Sequence, residues 1–299
     1  MCRKSEGPDQ SRYDTPMPLA LDITSPQNPR VKALVKLRDH KGRRAAGLFI
    51  AEGRRAVGRA VQAGLWIHEI WTCPALLGMP AEAAGAYVAD LMAQGVPPST
   101  PGPRIATVSE SAFRKIAYVR EPEGVLAVCQ PPSIGLDTLP AVDHHTMDLV
   151  AIGTEKPGNL GAMVRTADAA GCRAVIAAGA PIDTMNPNAI RASTGAVFAV
   201  PTLALSEPSA IAHLRASGQR VIAAYPEQGE DHTAIDYTGP LAIAVGPEDR
   251  GLSPAWRDLA LATGGAAVRI PMHGRVTDSL NASVATAVLL FEAARQRQT

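Results

Sequence analysis

Aromatic residues, cysteines and long apolar runs are all scarce in this sequence. Phe, Trp and Tyr together make up only 4% of its 299 residues. The four cysteines form no C-x-x-C pair, which argues against a disulfide framework or a zinc site, and we interpret them as reduced thiols of a cytoplasmic protein. They are Cys2, Cys73, Cys129 and Cys172. No run of about 18 uninterrupted apolar residues occurs, so no membrane span is predicted, and the polar start MCRKSEGPDQ lacks the apolar region of a signal peptide.

Small apolar residues and one basic block stand out instead. Apolar residues reach 46%, dominated by Ala and Val beside abundant Gly, which suits packed α/β layers, and the length is comfortable for two domains. The net charge is only +1, but residues 30–59 hold ten Lys and Arg against two Asp and Glu. Such a block indicates a polyanionic partner, with an ordinary solvated helix face as the alternative.

The pattern divides the chain into four segments. Residues 1–20 are polar and aperiodic and are expected to be a disordered tail, and residues 21–132 form a small α/β domain. Residues 133–146 are rich in Pro, Gly and Asp and read as a linker, and residues 147–299 form a second domain. In the small domain we predict a basic helix near 31–37, strands at 48–50, 67–72, 104–108 and 124–129, helices at 53–63 and 109–117, and a loop at 94–103.

The second domain alternates apolar strands with helices, which predicts a parallel sheet covered on both faces. Its last helix is expected to begin at Asp278 and Ser279, with Leu280, Val284, Ala287, Val288 and Phe291 on its buried face. The predicted strands are 148–152, 173–178, 220–224, 241–245 and 267–270, and the other helices are 188–197, 209–217 and 254–261.

Ligands of parallel sheets bind at the carboxyl ends of the strands. Three loops rich in Gly and polar residues lie there, at 153–161, 246–251 and 271–279. They bring forward one set of candidate site residues: Asn159, Arg165, Glu248, Ser279 and Asn281.

Each candidate has a structural alternative. Asn159 could serve a turn, Arg165 could pair with Asp168, Glu248 could cap the following helix, and Ser279 could be an N-cap. Nucleotide loops fit poorly, because P-G-N-L-G-A is not G-x-G-x-x-G and G-P-E-D-R-G-L-S lacks G-K-[ST].

Three motifs in this order carry a specific resemblance. They are NLGAMVRTADAAG from Asn159, IAVGPEDRGLS from Ile243 and IPMHGRVTDSLNASVA from Ile270. With them the chain resembles the SpoU (TrmH-type) family of RNA ribose 2′-O-methyltransferases, of the SPOUT superfamily. NPRVKAL, FIAEGRRAV and REPEGVLAV resemble the family's substrate-binding extension of the ribosomal-protein L30e type.

The resemblance implies a fold that periodicity does not. Periodicity predicts an ordinary open α/β sheet, whereas the family has a parallel sheet whose C-terminal segment forms a deep trefoil knot, a topology that general rules treat as nearly absent. The resemblance also implies S-adenosylmethionine as cofactor, a homodimer with the active site completed across the interface, and no metal.

Site roles follow from the same resemblance. Arg165 contacts the 2′-hydroxyl and, as a permanent cation, suits stabilisation of a developing alkoxide better than a role as base. Asn159, Ser279 and Asn281 match the positions that hold Arg165 and the ribose, and Glu248 matches the acid of the second motif. The positions expected to bind the cofactor are Ala223, Ala224, Gly246, Ile270 and Leu280. One departure is Lys156, where many members have an acid directly before P-G-N.

The expected substrate is 23S rRNA, by analogy with enzymes that carry this front domain, some of which protect antibiotic producers. Single-stranded or loop RNA is the form in which a nucleotide is reachable. Three alternatives stay open: a tRNA ribose methyltransferase, a methyltransferase acting on a base nitrogen, and a non-catalytic RNA-binding protein of the same fold. The residues expected to contact RNA are Arg30, Lys32, Lys36, Arg43, Arg44, Arg54 and Arg191.

Overall fold

A computed structural model describes residues 20–95, 102–179, 182–248, 250–276 and 278–297. The tail expected at 1–20 lies outside these residues, except for Ala20, and so does most of the loop expected at 94–103. The chain separates into two compact units, one of residues 1–133 with 185–190 and the other of residues 134–184 with 191–299. Within the described residues, every helix is too short or too polar to span a bilayer.

The first unit is built on a mixed sheet in the order β1-β4-β3-β5-β2, where β5 runs antiparallel to both neighbours. Its interior includes Val31 and Leu34 of the first helix and Trp71 of β3, all at most 1% exposed. Its elements are β1 (Ala20–Ile23), α1 (Pro29–Lys36), α2 (His40–Ala46), β2 (Phe49–Glu52), α3 (Arg54–Gln62), β3 (Ile67–Thr72), α4 (Pro74–Leu77), α5 (Ala84–Met92), β4 (Arg104–Val108), α6 (Glu110–Ile116) and β5 (Val125–Cys129).

The second unit is built on a sheet in which all neighbouring strands are parallel, in the order β10-β12-β9-β11-β6-β7-β8. Its elements are β6 (Met147–Ile152), α7 (Pro157–Ala169), β7 (Ala174–Ala178), β8 (Thr202–Leu205), α9 (Glu207–Ser217), β9 (Arg220–Ala224), β10 (Glu230–Asp231), β11 (Leu241–Val245), α10 (Pro254–Ala262), β12 (Ala266–Arg269) and α11 (Ala282–Arg297). Between β7 and β8 the chain also forms α8 (Pro187–Ala192), of which residues 187–190 belong to the first unit. Every residue of β6, β7 and β11 is buried, which explains their almost entirely apolar sequence. The exception is Asp148 of β6, whose buried carboxylate forms an ion pair with Arg173. The predicted α/β class with a parallel sheet is confirmed, and the knot stays a prediction.

The helix predicted at 188–197 is wrong in its second half. The helix ends at Ala192, because Thr194 and Gly195 adopt φ values of 53° and 87°, which a right-handed helix cannot contain. A short 3-10 turn, Ala196–Phe198, follows.

The last helix also differs from its prediction, in both its start and its buried face. It begins at Ala282, and Asn281 rather than Ser279 accepts a hydrogen bond from the backbone N–H of Ser283, at 3.0 Å. Val284 and Phe291 are 47% and 52% exposed. The buried residues are Ala282, Thr286, Leu289, Leu290 and Ala293. The far end is held by Arg297, which donates to the carbonyls of Tyr237 at 3.0 Å and His145 at 2.8 Å.

Candidate active site at the carboxyl edge of the second sheet

Three loops meet where four neighbouring parallel strands end. β12, β9, β11 and β6 are adjacent in the sheet, so the loops that follow β6, β11 and β12 leave from the same edge. Glycine makes their close approach possible. Gly153 has a φ of 61°, and a Cβ there would lie 3.2 Å from Pro247; a Cβ on Gly246 would lie 2.7 Å from the backbone of Gly251. A larger residue at Gly153 would press the first loop against the second, and one at Gly246 would distort the second loop itself.

Glu248 is the point at which these loops are joined. Its Oε1 accepts hydrogen bonds from Asn281 Nδ2 at 2.5 Å, from the backbone N–H of Ala282 at 3.1 Å, and from Asn159 Nδ2 at 3.4 Å. Asn281 in turn accepts a bond of 2.6 Å from the hydroxyl of Ser283. An oxygen engaged by three N–H donors orients those donors, so the structure gives Glu248 a positioning role through Oε1.

Arg165 lies on α7, the helix that also carries Asn159. Its side chain is exposed, and it forms no hydrogen bond or ion pair with any residue that the structure describes, Asp168 included. The structural alternative for Arg165 is therefore not realised. An exposed guanidinium without a carboxylate keeps its charge and its donors for a ligand.

Ser279 and Asp278 form a small polar rim. The hydroxyl of Ser279 donates to Asp278 Oδ1 at 3.1 Å, and both residues line the cavity described next. The structure thus joins Asn159, Glu248 and Asn281 directly. It places Ser279 beside the cavity, and it leaves Arg165 without a contact to that cluster.

A cavity, which we call the donor pocket, opens between the ends of β9, β11 and β12 and the start of α11. It encloses about 610 Å³ of empty space, part of it open to solvent. Its lining is Ala224, Tyr225, Pro226, Gly246, Pro247, Glu248, Gly251, Val268, Ile270, Met272, Asp278, Ser279, Leu280, Ala282, Ala285 and Leu289.

Four of the five residues expected to bind the cofactor line this pocket, namely Ala224, Gly246, Ile270 and Leu280. Ala223 does not, because it is fully buried in the apolar core of the second unit, and we withdraw it as a cofactor contact. Sequence reasoning missed Tyr225, Met272 and Leu289. The only signal for Tyr225 was its place directly after a strand that ends at this edge.

The pocket fits S-adenosylmethionine in its chemistry. Ile270, Leu280 and Leu289 provide apolar walls that would accept a flat heterocycle, and the carboxylates of Asp278 and Glu248, which also line the pocket, would complement the positive sulfonium and ammonium groups of the ligand. Among the described residues no group of His, Cys, Asp and Glu could hold a metal ion.

The departure at Lys156 leaves the loop contacts in place. Lys156 is exposed and lies directly before α7. Glu155, one residue earlier, forms an ion pair with Arg250 of the second loop, with 3.4 Å between Oε1 and Nη2. The acid shifted by one position therefore still joins the first and second loops.

Some basic side chains of the first unit bind other groups of the fold, and others are exposed. Arg43 is only 5% exposed, and its Nη1 donates to the carbonyls of Leu37 at 2.7 Å and Arg38 at 2.6 Å. Arg30 forms an ion pair with Glu69, which is itself buried. We therefore withdraw Arg43 as an RNA contact, because its guanidinium is used up inside the fold, and regard Arg30 as mainly structural.

The other predicted RNA contacts are exposed: Lys32, Lys36, Arg44, Arg54 and Arg191. Arg54 is partly engaged, with its guanidinium 5.9 Å from the centre of the Tyr87 ring and a bond of 3.3 Å to the carbonyl of Leu77. Lys32 and Lys36 are one turn apart on α1 and share a face.

Comparison with protein families gives two matches. Residues 146–291 match the SpoU rRNA Methylase family, and residues 28–127 match the MRM3-like substrate binding domain. Together they cover the units that contain the donor pocket and the basic block.

Individual relatives agree over most of the chain. The chain is 31% identical over 287 residues to the 23S rRNA (uridine(2479)-2′-O)-methyltransferase of Streptomyces viridochromogenes, covering 94% of each chain. A crystal structure of an RNA 2′-O ribose methyltransferase is 37% identical with a TM-score of 0.77, covering 93% of this chain and 100% of that one. The AdoMet-bound rRNA methyltransferase from Sinorhizobium meliloti is 30% identical with a TM-score of 0.78, covering 93% and 98%.

Proposed function

The chain belongs to the SpoU rRNA methylase family, and from this we propose that it transfers the methyl group of S-adenosylmethionine to a ribose 2′-oxygen of 23S rRNA. Membership confirms the class of enzyme and the cofactor predicted from the sequence. One observation carries the assignment to particular residues: Glu248 joins Asn159 and Asn281 at the mouth of a pocket lined by Ala224, Gly246, Ile270 and Leu280.

In the proposed reaction the donor pocket positions the reacting groups, and Arg165 provides a positive charge near the acceptor oxygen. When bound, S-adenosylmethionine provides an electrophilic methyl group. The loops held by Glu248 keep the pocket in shape, and a fixed geometry for the acceptor oxygen lowers the entropic part of the barrier. Arg165 stabilises the negative charge that develops on the 2′-oxygen, because its guanidinium stays protonated and has no competing carboxylate among the described residues. Asn281 and Ser279 hold the ribose at the pocket mouth.

The first unit supports an rRNA substrate. It matches a substrate-binding domain, and it exposes Lys32, Lys36 and Arg44, which can neutralise phosphates. The Streptomyces relative is named for 23S rRNA, and an enzyme acting on rRNA works in the cytoplasm. Transfer RNA is the second candidate, and the same assay separates the two.

We propose further that the protein acts as a homodimer. Val284 and Phe291 are 47% and 52% exposed and lie seven residues apart on one side of α11. A second copy that covered these two side chains would remove their apolar surface from water. α11 packs against α7, the helix that carries Arg165, so a second copy seated on α11 would also approach Arg165. Light scattering of the purified chain would give twice the monomer mass, and Phe291→Glu would reduce it to that of one chain.

The deciding experiment is transfer of labelled methyl from S-adenosylmethionine to unmethylated 23S rRNA, 16S rRNA and tRNA, assayed side by side. We expect a single alkali-resistant dinucleotide from 23S rRNA, because a 2′-O-methyl group blocks cleavage of the adjacent phosphodiester bond. Label in tRNA alone would show that 23S rRNA is not the substrate. Label found on the base by nucleoside analysis would show that the ribose 2′-oxygen is not the acceptor. Cofactor binding with no label in any RNA would favour a binding protein without catalysis.

A host strain lacking the protein then tests its biological role. Growth defects without drug would indicate a maintenance role in the ribosome. Increased sensitivity to a ribosome-targeting antibiotic would indicate protection.

A further inference from the structure

A second hollow, which we call the side hollow, opens next to the donor pocket. The two share six lining residues, among them Tyr225, Glu248 and Ser279. The side hollow is the wider of the two, with about 1150 Å³ of empty space including the part open to solvent. Its lining includes two arginines that do not line the donor pocket, Arg250 and Arg257.

Arg257 is held in place before any ligand arrives. Its Cζ lies 4.8 Å from the centre of the Tyr225 ring, and its Nη2 donates to Gln228 Oε1 at 2.6 Å. Tyr225 is itself fixed, because its hydroxyl donates to the carbonyl of Ser253 at 3.0 Å and its backbone N–H donates to Val268 at 2.8 Å. A side chain ordered in this way loses little conformational entropy on binding.

The charge of Arg257 is not neutralised inside the fold. Among the described residues it has no carboxylate within ion-pair distance, whereas Arg250 reaches Glu155 at 3.4 Å. Its two partners, an aromatic ring and an amide, are both neutral. Of the carboxylates that line the hollow, Glu248 accepts from Asn281 and Ala282, Asp278 accepts from Ser279, and Glu227 is exposed. Arg257 is therefore a preorganised cation whose remaining guanidinium donors can bind an anion.

We propose that Arg257, fixed on Tyr225, binds the RNA phosphate attached to the 3′-oxygen of the methylated ribose. The 2′- and 3′-oxygens are on neighbouring carbons of one ring. When the 2′-oxygen faces the donor pocket, the 3′-phosphate must lie close by, and the side hollow shares a wall with that pocket. The inference rests on the proposed function, and it gives Arg257 a role in holding the substrate that is separate from the role of Arg165.

The test is RNA binding by the full-length protein at several salt concentrations, with a 23S rRNA fragment that contains the mapped methylation site. We expect Arg257→Ala to weaken binding about tenfold and to reduce the slope of log K against log salt by about 0.7–0.9, the value for one lost phosphate contact. Arg257→Lys should restore the slope and most of the affinity, because it keeps a positive charge. Affinity for S-adenosylmethionine, measured by calorimetry, should be unchanged in both variants.

Arg215→Ala is the matched control. Arg215 is exposed in the last turn of α9, and α9 ends just before β9 begins, so Arg215 lies toward the opposite edge of the sheet. Its loss removes the same charge from the same unit and should leave both affinity and slope at their wild-type values.

Three results would overturn the inference while leaving the proposed function intact. They are wild-type RNA binding by Arg257→Ala, weaker binding with an unchanged salt slope (which would indicate base stacking on the guanidinium), and an equal loss in Arg215→Ala. If the wild-type protein methylates no RNA, the proposed function fails and this assignment fails with it.

Discussion

Arg43 and Arg165 are alike in the sequence, since both belong to segments that we expected to face RNA, but the fold uses them in opposite ways. Arg43 is 5% exposed and donates to two backbone carbonyls. Arg165 is exposed, and among the described residues it has no ion pair or hydrogen bond. The two side chains differ in the N–H groups that remain available. Arg43 donates to backbone carbonyls between α1 and α2, whereas the N–H groups of Arg165 can still bind a ligand.

A count of basic residues alone does not identify the side chains of this protein that are available to RNA. The ten basic residues at 30–59 include at least two, Arg30 and Arg43, that stabilise the first unit. The site residues of the second unit are fewer, but two of them, Asn159 and Asn281, come from separate loops and converge on the carboxylate of Glu248. Convergence of distant segments is therefore a better indicator of function here than local charge density.

The largest effect is expected from Arg165→Ala. It should lower the rate of methyl transfer about 100- to 1,000-fold, because a donor that stabilises a developing oxyanion contributes on that scale. Calorimetry should show unchanged affinity for S-adenosylmethionine, since Arg165 does not line the donor pocket. Arg165→Lys should recover only part of the rate, because a point charge replaces a planar fork. Near-normal turnover by Arg165→Ala would remove this residue from the mechanism.

The next largest effect is expected from Arg43→Ala in the first unit, with its exposed neighbour Arg44 as the comparison. Arg43→Ala should lower the free energy of unfolding by about 2–4 kcal/mol, because it leaves two carbonyls without their donor. Urea denaturation would measure this, and RNA affinity per folded molecule should stay the same. Its neighbour Arg44 is exposed. Arg44→Ala should change the stability by less than about 0.5 kcal/mol and weaken RNA binding at low salt. If Arg43→Ala weakened RNA binding without loss of stability, and Arg44→Ala lowered stability instead, the roles assigned to the two arginines would be wrong.

Glu248 should give a smaller effect that separates positioning from proton transfer. Glu248→Ala leaves Asn281 and the N–H of Ala282 without their acceptor, and we expect the rate to fall about 10- to 100-fold. Glu248→Gln keeps an acceptor oxygen and should recover a substantial part of that loss. A steady-state pH profile is the check. Equal inactivity of both variants, with loss of one limb of the profile, would identify Glu248 as a base instead.

The smallest effect concerns the far end of α11. The pKa of Glu292 is lowered from 4.5 to about 2, first by the hydrogen bonds from Arg295 and then by that from Gln296. Since the folded pKa is below the ordinary value, the contribution to stability is fully present above about pH 4.5 and is lost as the pH falls toward 2.

Glu292→Gln should therefore lower stability slightly at pH 7 and make no difference near pH 2. Urea midpoints measured across this range should converge on the acid side. Parallel curves for the two proteins would mean that this carboxylate does not contribute to acid unfolding.

The interior of the second sheet was predictable, because its strands are buried on both faces. The predicted strands 148–152, 173–178 and 241–245 agree with the observed ones within one residue. The short edge strands β8 and β10 were missed. β10 has only two residues, both acidic, and β8 has only four, half of them not buried, so neither gives the longer buried apolar run of the interior strands.

The last helix shows why a periodic pattern was not enough. α11 is apolar on more than one side, so the positions of Val284 and Phe291 fit a buried face as well as those of Leu289 and Ala293 do. The choice depends on packing against α7, which the sequence of α11 does not contain. Similarly, Ser279 is a good N-cap by residue type, but the loop continues to Asn281, whose amide is held by Glu248 from another strand end.

The site residues were found through their motifs, and their partners were not. Asn159, Glu248 and Asn281 lie far apart in the chain, and no local pattern indicates that they share one oxygen atom. Tyr225 and Arg257 escaped notice for the same reason, since their contact joins β9 to α10. Pairings across elements depend on the three-dimensional arrangement of the strands.

The donor pocket takes one wall from α11, through Ala282, Ala285 and Leu289. During synthesis these residues are added after every other residue of the lining. A nascent chain that still has α11 inside the ribosome therefore has the remaining pocket residues but cannot yet close them around a cofactor. The enzyme acquires its methyl donor only after this helix has emerged, so it cannot modify RNA while this part of its own chain is still being made.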